Sequence, residues 1–117
     1  MCFAVRIVVV APTRQRRLAL RRAAVNAEWE VVGDAESAAD GVAKVTALRG
    51  RFMVLDETAA GPDTAGVAAT LAAVRPRVFL IGVGNVAGAD AQVAATDLPR
   101  LRTVLAGLLH DSGDHAH

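Results

Sequence analysis

The chain has 117 residues, enough for one domain with a single core of ordinary size. Hydrophobic residues make up 53% of it, which excludes a disordered chain, yet no apolar run approaches the roughly 18 residues of a membrane span. Formal net charge is only +1, but its make-up is uneven: twelve of the 13 basic residues are arginine, and Lys44 is the only lysine.

The first element in chain order is Val5 to Val10, a β-branched run interrupted only by Arg6, as expected of a strand buried on both faces. It ends in Ala11-Pro12, with no acid at either position. The N-terminal apolar stretch is too short for a signal sequence and no basic residue precedes it, so the expected location is cytoplasmic, with no membrane partner. Cys2 is the single cysteine and leaves no disulfide framework and no cysteine-based metal site.

Thr13 can cap a helix from Arg14 to about Ala27. Five arginines crowd its start: Arg14, Arg16, Arg17, Arg21 and Arg22. Arg14, Arg17, Arg21 and Arg22 share an arc of roughly 140° at about 100° per residue. Such an arc is either a solvated face or a contact surface. No aromatic residues and no helix-turn-helix pattern accompany it, so an acidic protein is favoured over nucleic acid. Leu18 and Val25 fall inside the same arc, which implies that part of it is packed.

Trp29 to Gly33 reads as the second strand, and Glu36-Ser37 introduces a helix to about Leu48 with Ala38, Val42 and Val45 on one stripe. Phe52 to Asp56 is the third strand, followed by a loop from Glu57 to Gly61. A carboxylate at the C-terminal end of a central parallel strand stands where open α/β sheets put their chemistry. Asp56 is therefore the first site candidate.

Gly61-Pro62-Asp63 breaks the chain before a helix carrying Val67, Leu71 and Val74, which should stop ahead of Pro76. Val78 to Ile81 is the fourth strand. The stretch from Gly82 to Thr96 is too short for a full helix plus a strand with connections. Gln92 to Ala95 is read as a short fifth strand, and Val83 to Asp90 as a glycine-rich loop or a single turn. Thr96 or Asp97 caps a last helix with Pro99 in its first turn and a stripe of Leu98, Leu101, Leu105 and Leu108. That stripe is core, or core plus a seam for a homodimer. One domain is expected over residues 1–110, with a disordered tail over 111–117.

Two further groups invite chemistry. Gly82, Gly84 and Gly88 form a GxGxxxG pattern that could approach a nucleotide phosphate. The spacing differs from GxGxxG and no helix opens behind it, so a flexible connection is the plainer reading. His110, His115 and His117 are grouped near the end of the chain, but two of them lie in the expected tail, and no metal site is assigned. No nucleophile–base pairing is read for Ser37, Thr58 or Ser112, so no catalytic residue is assigned and no cofactor is expected.

The alternation of strands and helices gives a five-stranded parallel sheet of order 2-1-3-4-5 in a flavodoxin-like, three-layer α/β sandwich, with its fourth helix shortened or lost. Val5 to Val10, Trp29 to Ala35, Ala39-Asp40-Gly41 and Val54-Leu55-Asp56 together resemble the CheY-like receiver domains of two-component response regulators. The resemblance covers roughly residues 4 to 82 well and the rest loosely. It implies that Asp56 stands at the phospho-acceptor position. In that family two acids after the first strand help Asp56's counterpart hold Mg²⁺, a Ser or Thr follows the fourth strand, and a lysine follows the fifth. Here the acid-pair positions are Ala11 and Pro12, the hydroxyl position is Gly82, and no lysine is available because Lys44 lies in the second helix. A phosphoryl group arriving at a carboxylate brings anion onto anion and needs a cation to neutralise it.

The resemblance therefore implies a pseudo-receiver: a non-catalytic, phosphorylation-independent protein-interaction module in signalling. Three alternatives stand beside it. One is a small nucleotide- or anion-binding protein using the Gly82 to Gly88 loop. Another is an atypical receiver still phosphorylated at Asp56, and a third is a nucleic-acid accessory acting through the arginine helix.

Overall fold

Strand formation follows the β-branched runs, and the computed structural model describes residues 5–24, 29–59, 64–74 and 77–114. In chain order the elements are β1 (Val5–Val10), α1 (Arg14–Ala24), β2 (Trp29–Ala35), α2 (Ala38–Leu48), β3 (Phe52–Asp56), a 3₁₀ turn (Glu57–Ala59), α3 (Thr64–Ala73), β4 (Phe79–Val83), β5 (Ala91–Val93) and α4 (Arg100–Asp114). The strands form one parallel sheet of order β2-β1-β3-β4-β5. The predicted topology and sheet order are those observed.

Successive side chains of a strand point to opposite faces, and the two faces here build two separate cores. Ile7, Val9, Phe52, Val54, Ile81 and Val83 pack with Leu20 and Ala24 of α1 and Leu101 and Leu105 of α4. Val8, Val10, Met53, Leu55 and Leu80 pack with Ala38 and Val45 of α2 and Leu71 of α3. Burying each such aliphatic side chain is worth about 1.5–3 kcal/mol relative to leaving it exposed. The central strand β3 is buried along its whole length, which places its last residue, Asp56, inside the protein.

Several boundaries differ from those expected. β2 runs on to Ala35 because β1 keeps pairing with it as far as Val10↔Ala35, and the Ala11 N–H extends the ladder to the Ala35 carbonyl at 3.0 Å. β5 is Ala91–Val93 rather than Gln92 to Ala95, since the Ala94 carbonyl closes a turn onto Asp97 N–H at 2.9 Å. The loop after β3 is wound into a 3₁₀ turn. α4 continues to Asp114, beyond Leu108 and Leu109, which still pack on the core. It thus enters the stretch expected to be disordered, whose remainder, 115–117, lies outside the described residues. So do the expected end of α1 past Ala24, the Gly61-Pro62-Asp63 break and Pro76.

The helix caps follow local chemistry. The Ser37 hydroxyl accepts from Asp40 N–H at 3.3 Å, and Arg49 ends α2 in the left-handed conformation (φ 57°, ψ 47°). The Trp29 indole N–H donates to the Ala24 carbonyl and so ties β2 to α1. No α-helix stands between β4 and β5. Its place on the α2/α3 side of the sheet is taken by the turns of residues 84–90, with Val86 fully buried in the second core. Among the described residues no helix is long and apolar enough to cross a membrane.

Candidate site at the carboxyl ends of the strands

Asp56 falls on the same face of β3 as Phe52 and Val54, the face covered by α1 and α4. It is 2% exposed, and among the described residues it is the one buried charged side chain. A buried carboxylate must be compensated, because leaving it unpaired costs several kcal/mol. Two groups of this chain compensate it. Arg16 Nε donates to Asp56 Oδ2 at 3.3 Å, and the Thr58 hydroxyl donates to the same oxygen at 2.7 Å.

Both partners are placed by local structure. The Thr13 hydroxyl accepts from Arg16 N–H at 3.2 Å, so the expected N-cap starts α1 over the strand ends. Arg16, Leu20 and Ala24 are then spaced four apart on the face turned to the sheet, with Leu20 and Ala24 fully buried. Arg16 is the top member of that stripe and reaches Asp56 instead of the core. The 3₁₀ turn over Glu57–Ala59 folds Thr58 back onto the carboxylate two residues before it. Sequence reading counted Arg16 in the arginine cluster but assigned it no role, and it missed Thr58. The available signal was the spacing of four from Arg16 to Leu20 to Ala24.

A shallow cleft of about 360 Å³ opens above the pair, bounded by Pro12, Thr13, Thr58 and Ala95. Ala11 and Pro12 bring no side-chain oxygen to it, and the Ala11 carbonyl accepts from Arg17 Nη1 at 3.0 Å. Glu57 also borders the cleft, and its Oε2 accepts from Asn85 N–H of the β4–β5 connection at 2.9 Å. Among the described residues no group of three or more His, Cys, Asp or Glu is placed to hold a metal ion.

The glycine loop is closed on itself. A Cβ on Gly82 would lie 2.6 Å from Val86 Cβ, so the buried valine excludes a hydroxyl-bearing side chain at that position. Gly84 has φ +95°, and a Cβ there would sit 2.5 Å from Glu57 Cδ. Its N–H donates to the Val93 carbonyl at 2.8 Å. With Asn85 N–H given to Glu57, the loop offers a carboxylate where a phosphate would need amides. Gly88 (φ 80°) serves the turn that leads to β5.

The arginine arc of α1 is divided by the structure. Arg17 is bonded to Ala11, and Arg21 Nη1 lies 3.3 Å from Asp34 Oδ2 of β2. Arg14 and Arg22 are exposed, with Leu18 between them at 43% exposure. Leu18 is thus not packed as expected, because the buried stripe is Arg16–Leu20–Ala24, and Val25 lies outside the described residues. Cys2, His115 and His117 also lie outside them, as does the side chain of His110.

No family model matches the sequence, and no curated protein matches it either. Solved structures do. The REC domain of AraT, a response regulator from Geobacillus stearothermophilus, superimposes with a TM-score of 0.77 at 16% identity over 98% of this chain and 100% of that one. The receiver domain of RcsB from Escherichia coli gives 0.75 at 14% identity over 93% and 95%. The response regulator domain of Thermotoga maritima CheB gives 0.69 at 16% identity over 93% and 96%. The fold implied by the strand motifs is therefore the observed one: a receiver fold, with turns where its fourth helix would stand.

Proposed function

We propose that this chain is a non-catalytic, receiver-like regulatory module that acts by binding a protein partner and does not depend on phosphorylation of Asp56. One observation carries the reading. The Asp56 carboxylate is buried and already holds a cation and a hydroxyl from its own chain, Arg16 and Thr58. In-line attack on a phosphodonor needs a free carboxylate oxygen beside a divalent cation. Mg²⁺ takes an octahedral set of oxygens, usually with one or two carboxylates. Arg16 and Thr58 both bond Asp56 Oδ2, Ala11 and Pro12 add no oxygen, and Glu57 Oε2 is bonded to Asn85 N–H. The guanidinium thus takes over the charge balance that a metal would otherwise supply.

The reading as a nucleotide-binding loop is disfavoured by the engagement of the Gly84 and Asn85 amides within the protein. Neither cofactor nor metal enters the proposed activity, and the proposed setting is the cytoplasm. The test is partner retention in the native cell. Affinity-tagged wild type and Asp56→Asn should co-purify with the same proteins in the same yield. A folded Asp56→Asn variant that loses its partners would overturn the proposal.

A further inference from the structure

The strand order reverses between β1 and β3: the chain leaves β1 for β2 on one side, and leaves β3 for β4 and β5 on the other. Open α/β sheets hold their ligands outside the carboxyl ends of the strands at such a point. The cleft of about 360 Å³ lies there, lined by Pro12 and Thr13, which follow β1, and by Thr58, which follows β3. A second cleft of about 240 Å³ shares Thr13 and Arg16 with it, so Arg16 borders both.

The polar groups of the cleft are mostly spent on the protein. The Thr58 hydroxyl is committed to Asp56, and the Thr13 hydroxyl accepts from Arg16 N–H. Arg16 gives only its Nε to Asp56, and its Nη1 and Nη2 have no partner among the described residues. These two nitrogens form a planar fork that matches the oxygens of a carboxylate. The bond at Nε holds the side chain before a ligand arrives, so less entropy is lost when the fork is used. The side chains of Pro12 and Ala95 bring only carbon to the cleft. Carbon walls around one unpaired two-pronged donor suit an apolar body that carries one carboxylate. They do not suit a sugar or a polyphosphate, whose many oxygens each need a partner. Charge agrees, since the first turn of α1 brings Arg14, Arg16 and Arg17 and no acid, against Asp56 and Glu57 at the cleft. A larger cleft of about 480 Å³, lined from α1, β2 and α2, lacks these features. Its Arg17 and Lys44 are bonded to the Ala11 and Asp34 carbonyls, and Asp34, Glu36 and Asp40 stand with them, which disfavours an anion.

We infer that the cleft above the Arg16–Asp56 pair binds a small apolar carboxylate, with the carboxylate on Arg16 Nη1 and Nη2 and the apolar body against Pro12 and Ala95. The inference goes beyond the proposed function: it rests on the same ion pair but needs no partner protein. Such a group reaches the cleft either as a free acid or as the C-terminal residue of a protein, and the test separates the two. The isotope-labelled full chain is titrated with phenylacetate, and its backbone amide signals are followed by NMR. Phenylacetate should shift the amides of Thr13, Thr58 and Ala95 with a dissociation constant below about 1 mM. Phenylacetamide, which lacks the charge, and acetate, which lacks the apolar body, should each bind about tenfold more weakly. Tighter binding of the peptide Gly-Gly-Phe than of phenylacetate assigns the ligand to a protein C-terminus, and the reverse order assigns it to a free acid; both support the site. Arg16→Gln with Asp56→Asn, a neutral pair that leaves no buried charge, should weaken phenylacetate binding about tenfold. Ala95→Met, which fills the cleft and leaves the ion pair in place, should do the same. Circular dichroism confirms the fold of each variant. No shift with phenylacetate, equal affinity for phenylacetamide or acetate, shifts confined to the cleft between α1 and α2, or unchanged binding in either folded variant would overturn the inference. The proposed function would stand in that event, and its own failure shows separately, as partners lost in Asp56→Asn.

Discussion

Asp56 and Arg16 are forty residues apart in sequence and meet because the N-cap at Thr13 starts α1 directly over the end of β3. Sequence alone makes Asp56 a strand-end carboxylate with its expected helpers missing. It does not show what replaces them, because a long-range ion pair leaves no local pattern beyond the four-residue spacing of Arg16 with Leu20. The Arg16 side chain is 33% exposed and the Asp56 side chain 3%, so the carboxylate depends on the guanidinium more than the reverse. Arg16→Ala should lower stability by about 1–3 kcal/mol, the cost of an unsatisfied buried polar group. Asp56→Asn in the same chain should recover part of that loss, since a neutral amide needs no counter-charge. Urea unfolding followed by the fluorescence of Trp29, the single tryptophan, measures both. If Arg16→Ala cost the same in the wild type as in the Asp56→Asn background, the two side chains would not be coupled.

The strands and helices were legible because their apolar residues follow periods of 2 and 3.6, and the short β4–β5 interval announced the lost helix by length alone. The ends of elements were not legible, because pairing and packing from distant segments decide them. β2 extends as far as β1 offers partners, and α4 extends past Leu109. Gly82 shows the same limit. By alignment of motifs it is a missing hydroxyl, whereas in the fold it makes room for Val86, which fills the space a fourth helix would cover. Gly82→Ala should therefore destabilise the protein by about 1–3 kcal/mol through overpacking, and Val86→Ala should offset much of that in the double variant. The readout is the urea midpoint. A Gly82→Ala variant as stable as the wild type would show that the loop yields without cost.

At the scale of the whole molecule, a net charge of +1 hides two arginine groups at opposite ends of one sheet. Of the group on α1, Arg16, Arg17 and Arg21 are turned inward, onto Asp56, Ala11 and Asp34, and Arg14 and Arg22 are exposed. At the amino ends, Arg51 and Arg77 lie over the Phe79 ring. Composition could register the arginine excess, but only the topology divides it between the two ends of the sheet. The receiver fold is kept in sheet order and in both cores, and the proposed function holds that Arg16 and Thr58 neutralise its Asp56 end from within. That neutralisation is tested most directly by incubating the chain with a small phosphodonor and Mg²⁺ and recording its intact mass. No phosphoryl adduct should form on the wild type. A stoichiometric adduct that disappears in Asp56→Asn would contradict the account.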